Sequence, residues 1–223
     1  MITLRGGYET KDRRLDCLPQ WDERNLNFPV RAALPRAMPT RGRGWSVATW
    51  LDQGQEGACV GFAWSHELAA YPRRVKVTNG SARYVYLEAQ KIDEWAGEEY
   101  SGTSVLAGAQ IIQGQGHIGE YRWAYTIEDI VKAIVYEGPV VMGTRWHEGM
   151  YRPDATGFLH PTGEVVGGHA YLLSSVSVAK RYFTVWNSWG DDWGDKGRAK
   201  ISWDDMATLL EGWSDACVPM RRR

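Results

Sequence analysis

The chain has little cysteine. Cys17, Cys59 and Cys217 are the three in 223 residues. An odd and low count argues against a disulfide scaffold and is typical of a protein from a reducing compartment. No Cys-x-x-Cys pair and no cluster of Cys and His occurs, so a structural zinc site is not expected. Whether Cys17 and Cys217 pair is left open, because sequence alone does not report their separation in space.

Long apolar runs and an excess of one charge are also absent. No stretch of 18 apolar residues is present, and residues 1–7 lack the apolar core of a secretory signal, so we expect a cytoplasmic protein without a membrane partner. The formal net charge is −1, which predicts no nucleic-acid partner. The terminal triplet, residues 221–223, is too short to change this, and we expect it to be a solvated tail.

Apolar and aromatic residues are plentiful, at 43% hydrophobic with 12 Trp and 11 Tyr, so the chain can bury a large core. Residues 1–45 are polar and rich in Arg and Pro, and we interpret them as an extended N-terminal arm before a compact domain at 46–223. The arm either packs behind the domain, with Trp21 and Phe28 as anchors, or regulates access to a groove. In the second case residues 27–30 are candidates for an uncleaved strand, because they contain Pro29.

The periodicity of apolar residues predicts helices first and strands later. The predicted helices run from Cys59 to about residue 70, from Ser81 as N-cap to about residue 96, from Thr103 to about residue 114, and from Thr126 to Gly138. The predicted strands cover residues 140–142, 170–173, 182–186 and 199–201, and a short helix is expected at 204–210. This order indicates an α+β protein with two unlike lobes and a cleft between them.

Cys59 is the candidate nucleophile. It follows Gly57-Ala58 and opens a predicted helix, where the helix dipole and free N–H groups lower a thiol pKa. Taken alone, a free Cys is more often a small buried hydrophobe. The flanking Gln53-Gly54 and Gly57-Ala58 reverse that preference, because glycines let a loop pack tightly and present the next residue at a helix start. The Gln53 amide, six residues before Cys59, can donate to an oxyanion together with the Cys59 N–H. Without Cys59, Gln53 would be read as an ordinary loop residue.

His169 is the candidate base among five histidines. Gly167-Gly168 precede it and an apolar strand follows, so it lies at a strand start with small neighbours, whereas His66 is too far along the helix of Cys59. Asn187 ends another strand, and its side-chain oxygen can hold the second ring N–H of His169. Trp189 either shields that hydrogen bond or simply packs in the core.

These motifs, in this order, resemble the papain-like (C1) cysteine peptidases. The likeness rests on Gln53-Gly54, Gly57-Ala58-Cys59, His169-Ala170 and Asn187-Ser188-Trp189-Gly190, and it covers roughly residues 48–203. It implies a two-lobed papain-like fold with Cys59 on a central helix of one lobe and with His169 and Asn187 on a β-rich lobe. It also implies a substrate-binding surface that includes Gly102, Gly168 and Trp189.

Several positions depart from the family pattern. Glu56 stands where secreted members have a disulfide cysteine, Val60 replaces an aromatic residue, and Gly168 replaces an Asp that often precedes the His. These features resemble the compact, disulfide-free bacterial or phage branch.

The resemblance implies a cysteine peptidase that hydrolyses peptide bonds through a thioester, with a protein or peptide substrate and no metal or cofactor. The alternatives are an acyl or amide transferase, a deamidase, and a catalytically silent binding module. The oligomeric state stays open.

Overall fold

The computed structural model describes residues 2–3, 7, 9–20, 22–95 and 101–222. The helices are α1 (Cys59–Leu68), α2 (Asn79–Gln90), α3 (Val105–Gly114), α4 (Ile127–Tyr136) and α5 (Trp203–Glu211). Within these ranges no helix combines the length and the apolar character that crossing a bilayer requires. Short 3-10 turns cover Glu23–Asn27, Val30–Ala32 and Glu148–Met150.

Ten strands accompany the helices in the described parts of the chain. They are β1 (Ile2–Thr3), β2 (Glu9–Thr10), β3 (Arg43–Gly44), β4 (Ile118–Trp123), β5 (Val140–His147), β6 (Phe158–Leu159), β7 (Val165–Ser177), β8 (Tyr182–Trp186), β9 (Arg198–Ser202) and β10 (Ser214–Arg222). The main sheet has eight strands in the order β4-β10-β5-β7-β8-β9-β6, and β3 also pairs with β7. All pairs are antiparallel except β6 with β9, which is parallel.

Strand β7 divides the hydrophobic core in two, because successive side chains of a strand point to opposite faces. Tyr171 and Leu173 join the cluster that packs with α4 and α5, which we call the sheet lobe. Ala170 and Leu172 join the cluster formed with α1, α2 and α3, which we call the helical lobe. The predicted α+β architecture with two unlike lobes is therefore confirmed.

The start of α1 at Cys59 and the cap of α4 at Thr126 are confirmed. Thr126 Oγ1 accepts a hydrogen bond of 3.1 Å from the Asp129 N–H, and an Asp129 oxygen accepts one of 3.2 Å from the Tyr125 N–H. This differs slightly from a capping box, since the acidic side chain reaches the residue before the cap.

Two helix boundaries differ from the prediction. Helix α2 is capped by Thr78, not Ser81, because Thr78 and Ser81 exchange side-chain-to-backbone hydrogen bonds and Ser81 occupies the third helical position. The helix ends at Gln90, so the predicted end near residue 96 is wrong: residues 91–95 form turns and a bend. Helix α3 is capped by Ser104, one residue after the predicted Thr103.

Strands β4 and β10 were not predicted, and they form the sheet edge that ends in β4. Their sequences mix charged and apolar residues and show no clear strand pattern. The paired residues of β4 and β10 are more than 80 positions apart in sequence, so the pairing cannot be predicted from neighbouring residues.

The arm packs into the core through apolar residues that were not predicted as anchors. Leu15 and Val30 are completely buried in the sheet-lobe cluster and Leu34 is nearly so, whereas Phe28 is 49% exposed. Trp21 lies outside the described residues. Apolar side chains of the arm thus contribute to the core itself, and the division of the chain at residue 45 stays a prediction.

The C-terminal strand ends in a buried ion cluster, so the expected solvated tail is wrong for Arg222. Arg222 Nε donates to Glu67 Oε1 at 2.8 Å, and Arg73 donates to Glu67 Oε2 at 2.6 Å. Arg222 also donates to the carbonyl oxygens of Glu137 and Pro139. The Arg222 side chain is only 9% exposed and that of Glu67 is fully buried, so this contact ties β10 to α1.

We expect Arg222→Met to lower the free energy of unfolding by about 3 kcal/mol, the lower end of the cost of breaking a buried pair, because Arg73 still neutralises Glu67. Urea unfolding followed by tryptophan fluorescence measures it. Arg221→Met is the matched control, because the Arg221 side chain is 75% exposed, and its effect should stay within about 0.5 kcal/mol. Equal effects at the two positions would contradict a structural role for the ion cluster.

Candidate active site

Cys59 occupies the first position of α1, and all ten residues of this helix are buried. The helix is enclosed by α2, which it approaches closely at Gly61, where a Cβ would come within 2.3 Å of the Ala82 carbonyl oxygen. Cys59 itself is fully buried. Its N–H belongs to the first helical turn, where the helix offers no acceptor of its own, so it is available to an incoming oxygen.

His169 lies on β7 with its ring held by Asn187. His169 Nε2 is 2.8 Å from Asn187 Oδ1, which also accepts from the Ser188 N–H at 2.8 Å. Because Oδ1 is an acceptor, Nε2 carries the proton in the neutral ring and Nδ1 keeps its lone pair. Nδ1 is buried and has no hydrogen-bond partner among the described residues. The imidazole is therefore oriented with one nitrogen free to take up a proton.

Strand β7 also brings the His169 segment next to Cys59. The N–H of Ala170, the residue after His169, donates to Cys59 Sγ at 3.4 Å. Two indole rings enclose the imidazole, with centroid distances of 4.7 Å from Trp146 and 5.0 Å from Trp189. Trp189 was expected to shield the His–Asn hydrogen bond or to pack in the core, and it packs against the imidazole and within the sheet-lobe cluster. Trp146 was not singled out from the sequence, because nothing distinguishes it from other tryptophans at the end of a strand.

Gln53 has a fixed amide orientation. Its Oε1 accepts from Ser188 Oγ at 2.7 Å, and its Nε2 donates to the carbonyl oxygens of Glu56 and Arg14 at 2.8 and 3.1 Å. Carbonyl oxygens only accept hydrogen bonds, so the amide nitrogen must lie on the side of Glu56 and Arg14. Arg14 belongs to the arm, so one N–H of the amide points towards the arm. Gln53 N–H also donates to the Ser188 carbonyl at 2.9 Å, which couples the Gln53 loop to the segment of Asn187.

The N-terminal arm runs through this site. Cys59 Sγ donates to Asp16 Oδ1 at 3.2 Å, and Ser101 Oγ donates to Asp16 Oδ2 at 3.0 Å. Asp16 is completely buried. A Cβ on Gly57 would lie 1.7 Å from Asp16 Oδ2, so only glycine leaves room for the carboxyl group. Asp16 and Ser101 were missed by sequence reasoning, although a single acid within the run Leu15-Asp16-Cys17-Leu18 is a pattern typical of a buried carboxyl.

The arm backbone pairs with both walls of the cleft. Cys17 N–H donates to the Gly168 carbonyl at 3.1 Å, and Leu18 N–H donates to the Thr103 carbonyl at 3.0 Å. A Cβ on Gly168 would lie 2.0 Å from the Cys17 carbonyl oxygen, so this wall also requires glycine. The segment in the cleft is thus residues 14–18 and not the predicted 27–30, because Val30 is buried in the core and Pro29 lies beside Trp123.

The three expected substrate-binding residues all contact the arm, but Gly102 does so without pairing. Gly102 N–H donates to the Tyr86 hydroxyl and its carbonyl accepts from Gln90, so its polar groups face α2. Backbone pairing falls on the next residue, Thr103. Trp189 stacks under the guanidinium of Arg14, whose carbon lies 4.2 Å from the ring centroid.

In this arm-covered site the pKa shifts of Cys59 and His169 favour a neutral thiol beside a neutral imidazole. Burial, and next the neighbouring Asp16, raise the pKa of the Cys59 thiol well above its usual range. This is opposite to the lowering expected at a helix start, because desolvation and a carboxyl neighbour outweigh the helix dipole. Burial lowers the pKa of His169 to about 4, and burial raises the pKa of Asp16 well above its usual range.

Metal ligation is not indicated in the part of the chain that the structure describes. It contains no group of three or more His, Cys, Asp or Glu side chains with the spacing of a metal site. The cysteines Cys17, Cys59 and Cys217 are all free and buried, so the pairing of Cys17 with Cys217 that the sequence left open is not formed.

We expect His169 to titrate near pH 4 while the arm covers the site, and His160 to titrate above 6.5. His160 contacts Asp154 and Asp205, and the hydrogen bond to Asp154 contributes most to raising its pKa. NMR of the imidazole Cε1 protons measures both in one sample, and a His169 midpoint above pH 6 would contradict the arm-covered geometry.

The lowered pKa of His169 also makes the free energy of unfolding depend on pH. Because it falls on folding from 6.5 to about 4, the unfolded chain binds more protons between these two values. The contribution of His169 to the free energy of unfolding therefore decreases as the pH falls through this window.

Comparison with known proteins agrees with the resemblance seen in the motifs. A model of the papain family of cysteine proteases matches residues 81–211, more than half of the chain. That segment includes His169 and Asn187 but begins after Cys59.

Individual relatives match over shorter stretches. A cathepsin B-like cysteine proteinase 3 of Ostertagia ostertagi is 34% identical over 85 residues, which cover 36% of this chain and 49% of that protein. A cathepsin B-like cysteine proteinase of Schistosoma japonicum is 37% identical over 70 residues, or 30% of this chain and 20% of that protein. The chain thus spans about half the length of the first relative and a fifth of the second.

Among solved structures, xylellain, a cysteine protease from Xylella fastidiosa, aligns with a TM-score of 0.72 over 97% of this chain and 99% of its own, at 16% identity. At that identity the likeness establishes the fold, which is the papain-like two-lobed α+β fold expected from the motifs. The fold and the family match together show that the chain belongs to the papain family of cysteine proteases.

Proposed function

We propose that this protein hydrolyses peptide bonds through a thioester formed on Cys59. One observation supports the proposal above the others. A stretch of backbone already lies beside the Cys59 sulfur, and the amide of Gln53 donates to a peptide carbonyl within that stretch, the one of Arg14. The cleft therefore binds an extended peptide through the groups that acyl transfer requires.

The chemistry follows from the positions of four groups. Cys59 gives its thiol proton to His169 Nδ1, and the thiolate attacks the scissile carbonyl carbon. The negative charge that develops on the carbonyl oxygen is stabilised by the Gln53 Nε2–H and the Cys59 N–H. The C–N bond then breaks as His169 returns the proton to the leaving amine. Asn187 keeps the imidazole in the tautomer and orientation that both transfers need.

Deacylation repeats the sequence with water. His169 Nδ1 takes a proton from a water molecule, whose oxygen attacks the thioester carbon. Collapse of the second tetrahedral intermediate breaks the C–S bond, releases the carboxylic acid and returns the proton to the sulfur. An acyl or amide transferase would use an amine in place of this water. Product analysis by mass spectrometry with added amine acceptors separates hydrolysis from transfer.

We further propose that the arm holds the peptidase in a closed state. The arm group that hydrogen-bonds with Cys59 Sγ is the carboxyl side chain of Asp16, which offers the thiol no peptide bond of its own. Burial under the arm, and next the neighbouring Asp16, raise the pKa of this thiol well above its usual range. The arm would therefore compete with substrate for the cleft, since it uses Gly168, Thr103 and Gln53 for its own hydrogen bonds.

We expect Cys59→Ala and His169→Ala to abolish hydrolysis of a fluorogenic peptide, because they remove the nucleophile and the base. Gln53→Ala should lower kcat by about 10²–10³, the usual cost of one oxyanion donor. Asn187→Ala should cost less than His169→Ala, since it removes only the group that orients the ring.

His160→Ala and His147→Ala serve as controls, because both histidines lie at the surface of the sheet lobe away from Cys59. They should retain the wild-type rate. Loss of activity in either control equal to that in His169→Ala would show that the base has been wrongly assigned, and circular dichroism of each variant confirms that it has folded.

We expect Asp16→Ala to raise the rate of peptide hydrolysis by about tenfold, because it removes two buried hydrogen bonds that seat the arm. Alkylation of Cys59 by iodoacetamide, mapped by mass spectrometry, should accelerate in parallel and exceed that of Cys17 and Cys217. Point substitution is preferable to deletion of residues 1–40, since deletion also removes the buried Val30 and Leu34.

Asp22→Ala is the matched arm control, because Asp22 pairs with the exposed Arg24 outside the cleft. It should change neither rate. If Asp16→Ala lowers the melting temperature without raising either rate, the arm is structural and does not regulate access.

A further inference from the structure

The three cysteines of the chain come together in one buried cluster. Cys17 belongs to the arm, Cys59 starts α1 and Cys217 lies on β10, yet all three are part of the hydrophobic cluster of the helical lobe. None of them forms a disulfide. Free thiols from three distant parts of the chain are thus held on the same face of the main sheet.

The sheet register places Cys17 and Cys59 over adjacent positions. A Cβ added to Gly143 of β5 would lie 2.9 Å from Cys17 Sγ, so the Cys17 thiol occupies the space that the missing side chain leaves. The residue opposite Gly143 on β7 is Ala170, whose N–H donates to Cys59 Sγ at 3.4 Å. Opposed residues of two antiparallel strands have Cα atoms about 4.5–5.5 Å apart. The two thiols therefore lie above neighbouring residues of neighbouring strands.

The arm backbone is fixed to the same stretch of β7. Cys17 N–H donates to the carbonyl of Gly168, two residues before Ala170, and the preceding residue of the arm, Asp16, contacts Cys59 Sγ at 3.2 Å. Two residues of a strand span about 6.6 Å. The Cα atoms of a disulfide are usually about 4.4–6.8 Å apart. The points that hold the two cysteines are thus separated by a distance that a disulfide can bridge.

Electrostatics agree with this proximity. Burial raises the pKa of the Cys17 thiol well above its usual range, and Cys59 is the next cause, ahead of Asp215. The Cβ of Asp215 lies only 3.7 Å from the added Cβ of Gly143. Because charge effects weaken with distance, the stronger influence of Cys59 indicates that it is at least as near to Cys17 as this carboxyl is.

We propose that Cys17 is a resolving cysteine, which forms a disulfide with Cys59 when the protein meets a peroxide and so locks the arm covalently in the cleft. The inference rests on the proposed function, because the disulfide would control the same thiol. In a reducing compartment such a bond is transient and acts as a redox sensor.

The chemistry has two steps. While the arm is out of the cleft, the Cys59 thiolate attacks one oxygen of hydrogen peroxide, the O–O bond breaks, and the departing hydroxide takes up the thiol proton as water. Cys59 is then a sulfenic acid. When the arm returns, the Cys17 sulfur attacks the sulfenic sulfur, the S–O bond breaks, and the second hydroxide leaves with the Cys17 proton. One peroxide is reduced to two waters as two thiols are oxidised to one disulfide.

The disulfide would protect Cys59 as well as close the cleft. A sulfenic acid that meets no second thiol is oxidised further to a sulfinic acid, which a dithiol does not reduce. A disulfide, in contrast, is opened by thiol exchange. Cys17 therefore converts a permanent loss of the Cys59 thiol into a reversible one.

The test treats the reduced, full chain with hydrogen peroxide, blocks the remaining thiols by alkylation and maps a non-reduced digest by mass spectrometry. We expect a peptide pair joined through Cys17 and Cys59 that separates on addition of dithiothreitol, with non-reducing electrophoresis showing that the bond lies within one chain. Asp16→Ala should form the pair about tenfold faster, because the first step needs the arm to leave and this variant removes two hydrogen bonds that seat it.

Recovery of activity is the second readout. After peroxide and then dithiothreitol, the wild-type protein should regain most of its rate of peptide hydrolysis. Cys17→Ser should regain about tenfold less, because its Cys59 passes to the sulfinic acid. Cys217→Ser is the matched control, since it removes a buried thiol of the same cluster that is paired with Val141 on β5, and it should recover like the wild type.

Each result decides either this inference or the proposed function. If the treated wild-type protein contains no pair joined through Cys17 and Cys59, or joins Cys17 to Cys217 instead, the resolving role is refuted while hydrolysis by the reduced protein stands. Equal recovery in Cys17→Ser and the wild type refutes it as well. A joined pair in a protein that hydrolyses no peptide, even as Asp16→Ala, sinks the proposed function and leaves the disulfide in place. Because the wild-type map decides by itself, a poorly folding Cys17 variant does not leave the question open.

Discussion

The backbone pairing of β7 with β5 on one side and β8 on the other is the interaction on which the site depends. This thirteen-residue strand crosses the whole molecule and contributes side chains to both hydrophobic clusters. Its antiparallel register with β8 brings the end of that strand, and with it Asn187, beside His169. Packing of α1 against β7 then places Cys59 Sγ on the Ala170 N–H. Cys59, His169 and Asn187 thus come from three parts of the chain that this one strand holds together.

The arm changes what the site can do without changing its framework. By excluding water from Cys59 and His169 it destabilises both charged forms, since desolvation acts on the thiolate and the imidazolium alike. After burial, the neighbouring Asp16 carboxyl is the next cause that raises the pKa of the Cys59 thiol. The neutral pair is therefore a property of the arm-covered site, and under the proposed function the ion pair expected at the start of a helix belongs to a state in which the arm has left the cleft.

Close approach of backbones explains why glycines line the cleft. Gly57 leaves space for the Asp16 carboxyl, Gly168 for the Cys17 carbonyl and Gly143 for the Cys17 sulfur, and in each case a Cβ would come within 3 Å of the arm. The absence of a side chain at these positions lets the extended backbone of the arm lie close to both walls of the groove.

Local chemistry in the sequence was sufficient to predict the α+β fold, the start of α1 at Cys59, the cap of α4 at Thr126 and the set of Gln53, Cys59, His169 and Asn187 as a candidate site. Motifs of this kind are short-range, because a nucleophile at a helix start or an Asn at a strand end is recognisable from its immediate neighbours. The positions of Asp16 and Trp146 depend instead on contacts between residues far apart in the chain. Only the tertiary structure brings Asp16 to Cys59 and Arg222 to Glu67, because desolvation and hydrogen bonding are properties of the assembled surroundings and not of the residues themselves.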